Sequence, residues 1–420
     1  MSKNHAANRK QFAKQMKPGS MLILFAGSAP VKRGDELYPF APQRNFLYLT
    51  GIDAPRVIFL MIKDHNEAVT ECLFLERPNE LTAKWSGAVL SAEDAMTVSG
   101  ITSTSFLDLF EDTIATYIMR HNIEIAYIDM ENRSFDAPVT ADLQFAQSLG
   151  AQFPAMLRAN AYPMFARLRA VKSKEEIRHI RRAIHITRDG LYAMMQKARP
   201  GMMEYEIEAH FDYTLKKNGV RQPAFATIAA SGANAAVLHY GRNNSQTHDG
   251  NLLLCDAGAQ VNWYSADVTR TFPVSGIFSE RQKQLYNIVL EGQKKVIAAI
   301  RPGVSFSALN ETLLAHYGKE LKKIGLIEKR EDVGRYYYHS VSHMLGLETH
   351  DIGRGVEGAL KKGMVLTVEP GLYIAEESIG IRIEDDVLVT DDGCEVLSAS
   401  IMKTVDEIET FMNRKKPAAH

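Results

Sequence analysis

Only three of the 420 residues are cysteine, Cys72, Cys255 and Cys394, far apart and with no C-x-x-C pair. A disulfide framework is therefore excluded, and free thiols in a reducing, cytoplasmic compartment are expected. Charge of one sign is lacking too. Lys plus Arg number 49 against 50 Asp plus Glu, a formal charge of -1, so no basic excess drives phosphate binding and nucleic acid is excluded as a main partner. The longest early apolar runs, Met21 to Phe25 and Val57 to Ile62, fall far short of the ~20 residues of a membrane span. The amino-terminal stretch MSKNHAANRKQFAKQMKPGS is polar throughout, so neither a targeting segment nor a membrane partner is expected. There is no G-x-S-x-G elbow, no P-loop and no H-E-x-x-H, which removes the minimal parts of serine hydrolases, nucleoside triphosphatases and zincins. What remains is ordinary globular composition, 45% hydrophobic and 24% charged, in a chain long enough for two cores.

Up to about residue 166, short apolar runs alternate with helical patterns. MLILF, FLYLT, VIFLMI, ECLFL and IEIAYID predict strands; SAEDAM, SFLDLFEDTIATYIMRH and TADLQFAQSL predict helices. The alternation predicts an α/β domain over 1–166 and a second domain over 167–420. Ser173-Lys-Glu-Glu176 has the form of a capping box, so a long helix is expected to start there and to run through Ile177, Ile180, Ile184, Leu191 and Met195 to Arg199-Pro200-Gly201.

The second part repeats itself. DGLYAMMQKARPGM leads to EIEAHFDYTLKKNGV, and 102 residues on EGQKKVIAAIRPGV leads to LNETLLAHYGKELKKIGL. Each helix, Arg-Pro-Gly turn and helix is followed by an apolar strand ending in a carboxylate and glycine turn, LLLCDAG at Asp256 and VLTVEPG at Glu369. A second strand then brings Asp267 in YSADVTRTF and Glu384 in GIRIEDDVLV. The duplication predicts two acids from each half, facing one another across a pseudo-twofold axis.

Four carboxylates in apolar strands cost several kcal/mol each unless paired or metal-bound. Arg270 and Arg382 offer a structural ion-pair network as one answer. The other is a divalent-metal site: oxygen donors with one or two imidazoles suit Mn²⁺, with Co²⁺ or Zn²⁺ as competitors. Four acids exceed the needs of one catalytic ion, whereas two ions ~3.5–4 Å apart can share them, generate hydroxide and polarise a carbonyl. Imidazoles are at hand in HSVSHMLGLETHD, with His339, His343 and His350, and in AAVLHYG, with His239. Gly353-Arg-Gly-Val-Glu-Gly358 matches a dinucleotide fingerprint only formally, since no strand precedes it.

DAGAQ, SADVTRTFPV, HSVSHMLGLETHD, TVEPGLYI and GIRIEDDVLV, in that order, resemble the metal-dependent pita-bread peptidases, most closely the Xaa-Pro aminopeptidases. LFAGSAPVKRGDELYPFAPQRNFLYLTGIDAP is similar to the amino-terminal domain of that family. The resemblance implies an α/β fold class: a creatinase-like α/β domain, then a pita-bread α+β catalytic domain with the pseudo-twofold repeat. It implies that Asp256 binds one metal ion, that His343 and Glu369 bind the other, and that Asp267 and Glu384 bridge both. His239 and His350 would hold substrate and stabilise the tetrahedral intermediate, and Glu369 would accept the proton of the attacking hydroxide. His339 would line the pocket, with Tyr373 and Arg382 supporting the metal shell and the substrate. The implied reaction releases the amino-terminal residue from peptides with proline second; a prolidase acting on Xaa-Pro dipeptides and a non-catalytic peptide-binding module are the rivals. Trp85 in ELTAKWSGA matches a tryptophan that reaches a neighbouring subunit's site, implying a homodimer or homotetramer assembled through the amino-terminal domain. A core aromatic in a monomer is the alternative for Trp85.

Overall fold

The structure, a computed structural model, describes residues 2–132, 134–353 and 358–413. Four residues of the formal glycine fingerprint, 354–357, lie outside the described residues. The chain divides into two compact units, Met1–Leu168 and Arg169–His420.

The first unit opens with α1 (Ser2–Gln15) and carries the strands β1 (Ser20–Phe25), β2 (Val31–Arg33), β3 (Glu36–Leu37), β4 (Ile58–Lys63), β5 (Val69–Leu75), β6 (Thr104–Phe106), β7 (Ile125–Ile128) and β8 (Leu157–Asn160). Six of them form one mixed sheet, in the order β6-β5-β4-β1-β7-β8, with β1 central, antiparallel to β4 and parallel to β7. Its other helices are α2 (Arg44–Thr50), α3 (Glu80–Ser86), α4 (Ala92–Ser99), α5 (Phe110–His121) and α6 (Ala141–Gln152), and the division between units falls within α7 (Tyr162–Ala170). Strand alternation puts Met21, Ile23, Ile58, Leu60 and Ile62 on one face, where they pack with Phe110, Ile114 and Leu149.

Two expectations are corrected here. FLYLT is the helix α2, not a strand: the Gln43 side chain accepts from the Phe46 N–H, and Gly51 closes the helix at φ 70°. Every residue from Asn45 to Thr50 is buried, and a short segment enclosed on all sides carries no period by which helix and strand differ. The helix expected from Ser105 begins at Phe110, because Thr104–Phe106 pairs in parallel with β5 as an edge strand.

In the second unit the repeat is explicit. Helix α8 (Lys174–Lys197) starts at Ser173 with both bonds of the capping box and turns at Arg199-Pro200-Gly201 into α9 (Glu204–Lys217). Helix α10 (Glu280–Ala299) turns at Arg301-Pro302-Gly303 into α11 (Phe306–Lys323). An added Cβ on Gly190 of α8 would overlap the Phe211 ring of α9, and one on Gly292 of α10 would meet Leu313 of α11. Both glycine and contact thus recur at the 102-residue spacing, each permitting a close helix crossing. After α9 come β9 (Ile228–Ser231), β10 (Leu252–Ala257), the ribbon β11 (Gln260–Val261) with β12 (Tyr264–Ser265), and β13 (Val268–Pro273). After α11 come β14 (Val365–Val368), β15 (Gly371–Ile374), β16 (Ile379–Arg382), β17 (Asp385–Val389), β18 (Cys394–Val396) and α12 (Val405–Met412). The antiparallel sheets β13-β10-β9 and β14-β17-β18 approach at β13 and β17, where the Glu384 N–H donates to the Thr269 carbonyl at 3.1 Å.

Candidate metal centre and substrate cavity

Asp256 lies on β10, Asp267 just before β13, Glu369 just after β14 and Glu384 just before β17, so each half brings one acid on or beyond a strand and one leading into the next. All four line one cavity of about 370 Å³ with His239, His339, His343, His350 and Arg382. Single donor atoms of Asp267, His343 and Glu384 fall within 4.8 Å of one another. His343 Nε2 is 3.5 Å from both Asp267 Oδ2 and Glu369 Oε1.

The histidines do not sit on a helix; 336–343 is irregular chain, which lets the two rings take separate roles. His343 donates from Nδ1 to its neighbour's carbonyl, Met344 O, at 3.1 Å, and this fixes the tautomer that turns an unprotonated Nε2 toward the acids. His339 donates from Nδ1 to Ser340 O at 2.9 Å and accepts at Nε2 from the Tyr373 hydroxyl at 2.9 Å. Burial holds His339 down at about 4, with the Ser340 carbonyl opposing, so the ring is a neutral wall. His350 packs edge-on against His343, with ring centroids 4.5 Å apart, and like His239 it is exposed to the cavity.

Arg382 ties this wall to the first acid: it donates to the Tyr373 hydroxyl at 3.1 Å, to Thr269 Oγ1 at 3.0 Å and to Asp256 Oδ2 at 2.6 Å. Arg270 goes elsewhere, pairing with Asp385 at 2.8 Å. An ion-pair network thus serves Asp256 but leaves Asp267 and Glu384 crowded. Burial, then Glu384, Asp256 and other acids, push the Asp267 carboxyl well above its ordinary range. Burial with Glu369 and Asp256 pushes Glu384 the same way, against Arg382 and Thr269. Asp256 Oδ1 is buried without a hydrogen-bond partner among the described residues. Crowded hard donors, one unpartnered oxygen and a presented imidazole nitrogen are what divalent cations fit.

Trp85 belongs to the other unit. It lies on α3 and is 86% exposed, so it is not a core aromatic of its own domain. The sequence reading missed Thr269, whose hydroxyl donates to Glu384 Oε2 at 2.6 Å, although its place two residues after Asp267 signalled a shared direction. It also missed Asp351, which lines the cavity and is held by Arg169 at 2.5 Å and Lys172 at 3.1 Å. No local pattern links those two cations to residue 351.

A fold of duplicated halves converging on carboxylates and imidazoles defines a metallopeptidase, and comparison with known proteins agrees. Residues 178–391 match the model of Metallopeptidase family M24, and residues 5–126 match the Aminopeptidase P, N-terminal domain. The Xaa-Pro aminopeptidase of Escherichia coli (strain K12) is 34% identical over 96% of either chain. A solved Bacillus anthracis structure assigned to aminopeptidase P superposes with a TM-score of 0.96 at 48% identity, covering 98% of each chain. The Escherichia coli aminopeptidase P with the inhibitor Pro-Leu gives a TM-score of 0.88 at 32% identity over 98% of each chain. The chain belongs to the Xaa-Pro aminopeptidases of metallopeptidase family M24.

Proposed function

We propose that this metallo-aminopeptidase removes the amino-terminal residue from peptides with proline in second place, and that two divalent ions, Mn²⁺ by preference with Co²⁺ or Zn²⁺ as substitutes, serve the reaction. The observation that carries the reading is the single cavity in which four acids, His343 and two exposed imidazoles converge. Asp256 would hold one ion, His343 and Glu369 the other, with Asp267 and Glu384 shared. Bound there, the ions supply Lewis acidity toward a carbonyl and a nucleophilic hydroxide at neutral pH.

The side chains divide the remaining work. Glu369 is partly exposed at its strand end and can take the proton released during attack. His350 and His239 reach the cavity from opposite halves of the repeat and are placed to donate to the substrate carbonyl as charge develops on it. Neutral His339, locked by Tyr373, offers a flat surface that asks for no proton. That suits the amide before proline, which has no N–H to satisfy and whose ring needs a shaped slot. Arg382 orients Asp256 through Oδ2, which would leave Oδ1 available to hold an ion.

The amino-terminal unit supports a proposal of homo-oligomers, dimers or tetramers. Helix α3 is seven residues long and buries none of them, yet Leu81 and Trp85, one turn apart, are 68% and 86% exposed. So short a helix needs packing that the described residues do not give, and a second copy would provide it. Placement in the cytoplasm rests on three free cysteines. No helix among the described residues is long and apolar enough to cross a membrane.

The test is a peptide-length series, Xaa-Pro against Xaa-Pro-Yaa and longer, with and without chelator, followed by metal readdition and elemental analysis. Chelator-sensitive release of Xaa from the longer peptides is expected. Activity on dipeptides alone would make the chain a prolidase, and no hydrolysis at all would leave a binding module. An active enzyme holding one ion per chain would remove the dinuclear scheme.

A further inference from the structure

Glu204, the first residue of α9, is 0% exposed and has no cationic side chain at ion-pair distance among the described residues. Five donors replace the missing cation. Oε1 accepts from Ser231 N at 2.7 Å, Ser231 Oγ at 2.8 Å and Asn234 Nδ2 at 3.0 Å. Oε2 accepts from the Tyr240 hydroxyl at 2.8 Å and Ser245 N at 2.9 Å. A buried carboxylate so fully satisfied is rigid, and it organises whatever holds it.

What holds it is the segment 231–245, which carries His239 into the cavity. His239 is exposed, and its ring makes no hydrogen bond to another described residue, so its place depends on its chain neighbours. Tyr240, the next residue, is buried and anchored on Glu204; Ser231, Asn234 and Ser245 fix the segment on either side. One turn along α9, Glu208 adds a second hold by accepting from Asn243 Nδ2 at 2.8 Å, where the backbone is left-handed at φ 44°.

The chemistry requires an acid. Each carboxylate oxygen faces a backbone N–H, Ser231 on one side and Ser245 on the other, and neither donor can be turned round. A glutamine at 204 would set its own NH₂ against one of them in either flip state.

We propose that Glu204 is a positioning residue of the reaction, setting the 231–245 segment so that His239 meets the substrate. The proposal rests on the reading of His239 as a substrate-holding residue. The test is a double-mutant cycle of Glu204→Gln with His239→Ala, measured on an Xaa-Pro-Yaa peptide in the metal-loaded enzyme, beside hydrogen exchange of the substrate-free protein. Glu204→Gln is expected to lower kcat/KM by roughly 10- to 100-fold, the cost of a misplaced group, with metal content unchanged. In the His239→Ala background the further loss should be under about twofold, because the residue through which Glu204 acts is gone. Exchange should rise in peptides spanning 231–246 and stay as it was at the metal ligands. Tyr240→Phe keeps the ring, removes one donor and is expected to show the same non-additivity at smaller amplitude, which carries the cycle if Glu204→Gln fails to fold. Equal losses in both backgrounds, or unchanged exchange in the segment, would overturn the proposal. If the wild-type chain left every Xaa-Pro peptide intact, the functional reading would fall by that control, and the exchange arm would still decide whether Glu204 sets the segment.

Discussion

Asp267 and Glu384 face one another inside the protein, and their mutual repulsion makes a definite statement about the metal-free state. Both carboxyls titrate above their ordinary range for reasons of burial and neighbouring acids. An acid whose folded pKa is raised favours the fold while protonated, so this contribution is present below its unfolded value and is lost as pH rises through the folded one. In chelator, melting temperature should therefore fall as pH rises above the ordinary carboxylate range, and added metal should offset the fall, because ionised acids bind it better. Asp267→Asn should abolish hydrolysis and yet raise the melting temperature in chelator. A lower melting temperature there would contradict the repulsion argument. His350 is expected to act on substrate: His350→Ala should lower kcat by ~10²-fold, as loss of an oxyanion donor does, with metal content unchanged. Loss of metal with activity would make it a ligand.

The repeated helix pairs set the scale of packing. At Gly190 the obstacle to a methyl group is a rigid phenyl ring at 2.3 Å, whereas at Gly292 the nearest atom is the end of a leucine that can turn aside, at 2.8 Å, with the His316 ring at 3.0 Å. Gly190→Ala should cost about 1–3 kcal/mol by overpacking, and Gly292→Ala less, both read from denaturant midpoints. The repeat was legible because its two copies share spacing as well as residue type, and the four acids were legible because charge on or beside an apolar strand demands an explanation. Helix α2 was not, since complete enclosure erased its period. Edge strands β6 and β8 are only three and four residues long and owe their existence to a neighbour's backbone. Among side chains near the cavity, those that act through distant partners stayed hidden: Asp351 is defined by Arg169 and Lys172, some 180 residues earlier, and burial fixes that relation only after folding.

For the whole molecule, the proposed assembly is what would bear most directly on access to the site. Leu81→Ala with Trp85→Ala should weaken self-association in light scattering. If Trp85 contributes to a partner's site, Trp85→Ala should also alter kinetics on tripeptides, and unchanged kinetics would remove it from that role even in an oligomer. The duplication has a further consequence, for divisibility. Asp256 and Asp267 precede the turn that closes at Gly276, while His343, Glu369 and Glu384 follow it, and Ile277, just past the turn, is 61% exposed. A chain severed there would leave two fragments, neither holding all of the proposed metal ligands. Each alone should be silent, and mixing them should restore hydrolysis in proportion to the metal supplied; a bound cation would then be a joint between separately made pieces as well as a reagent.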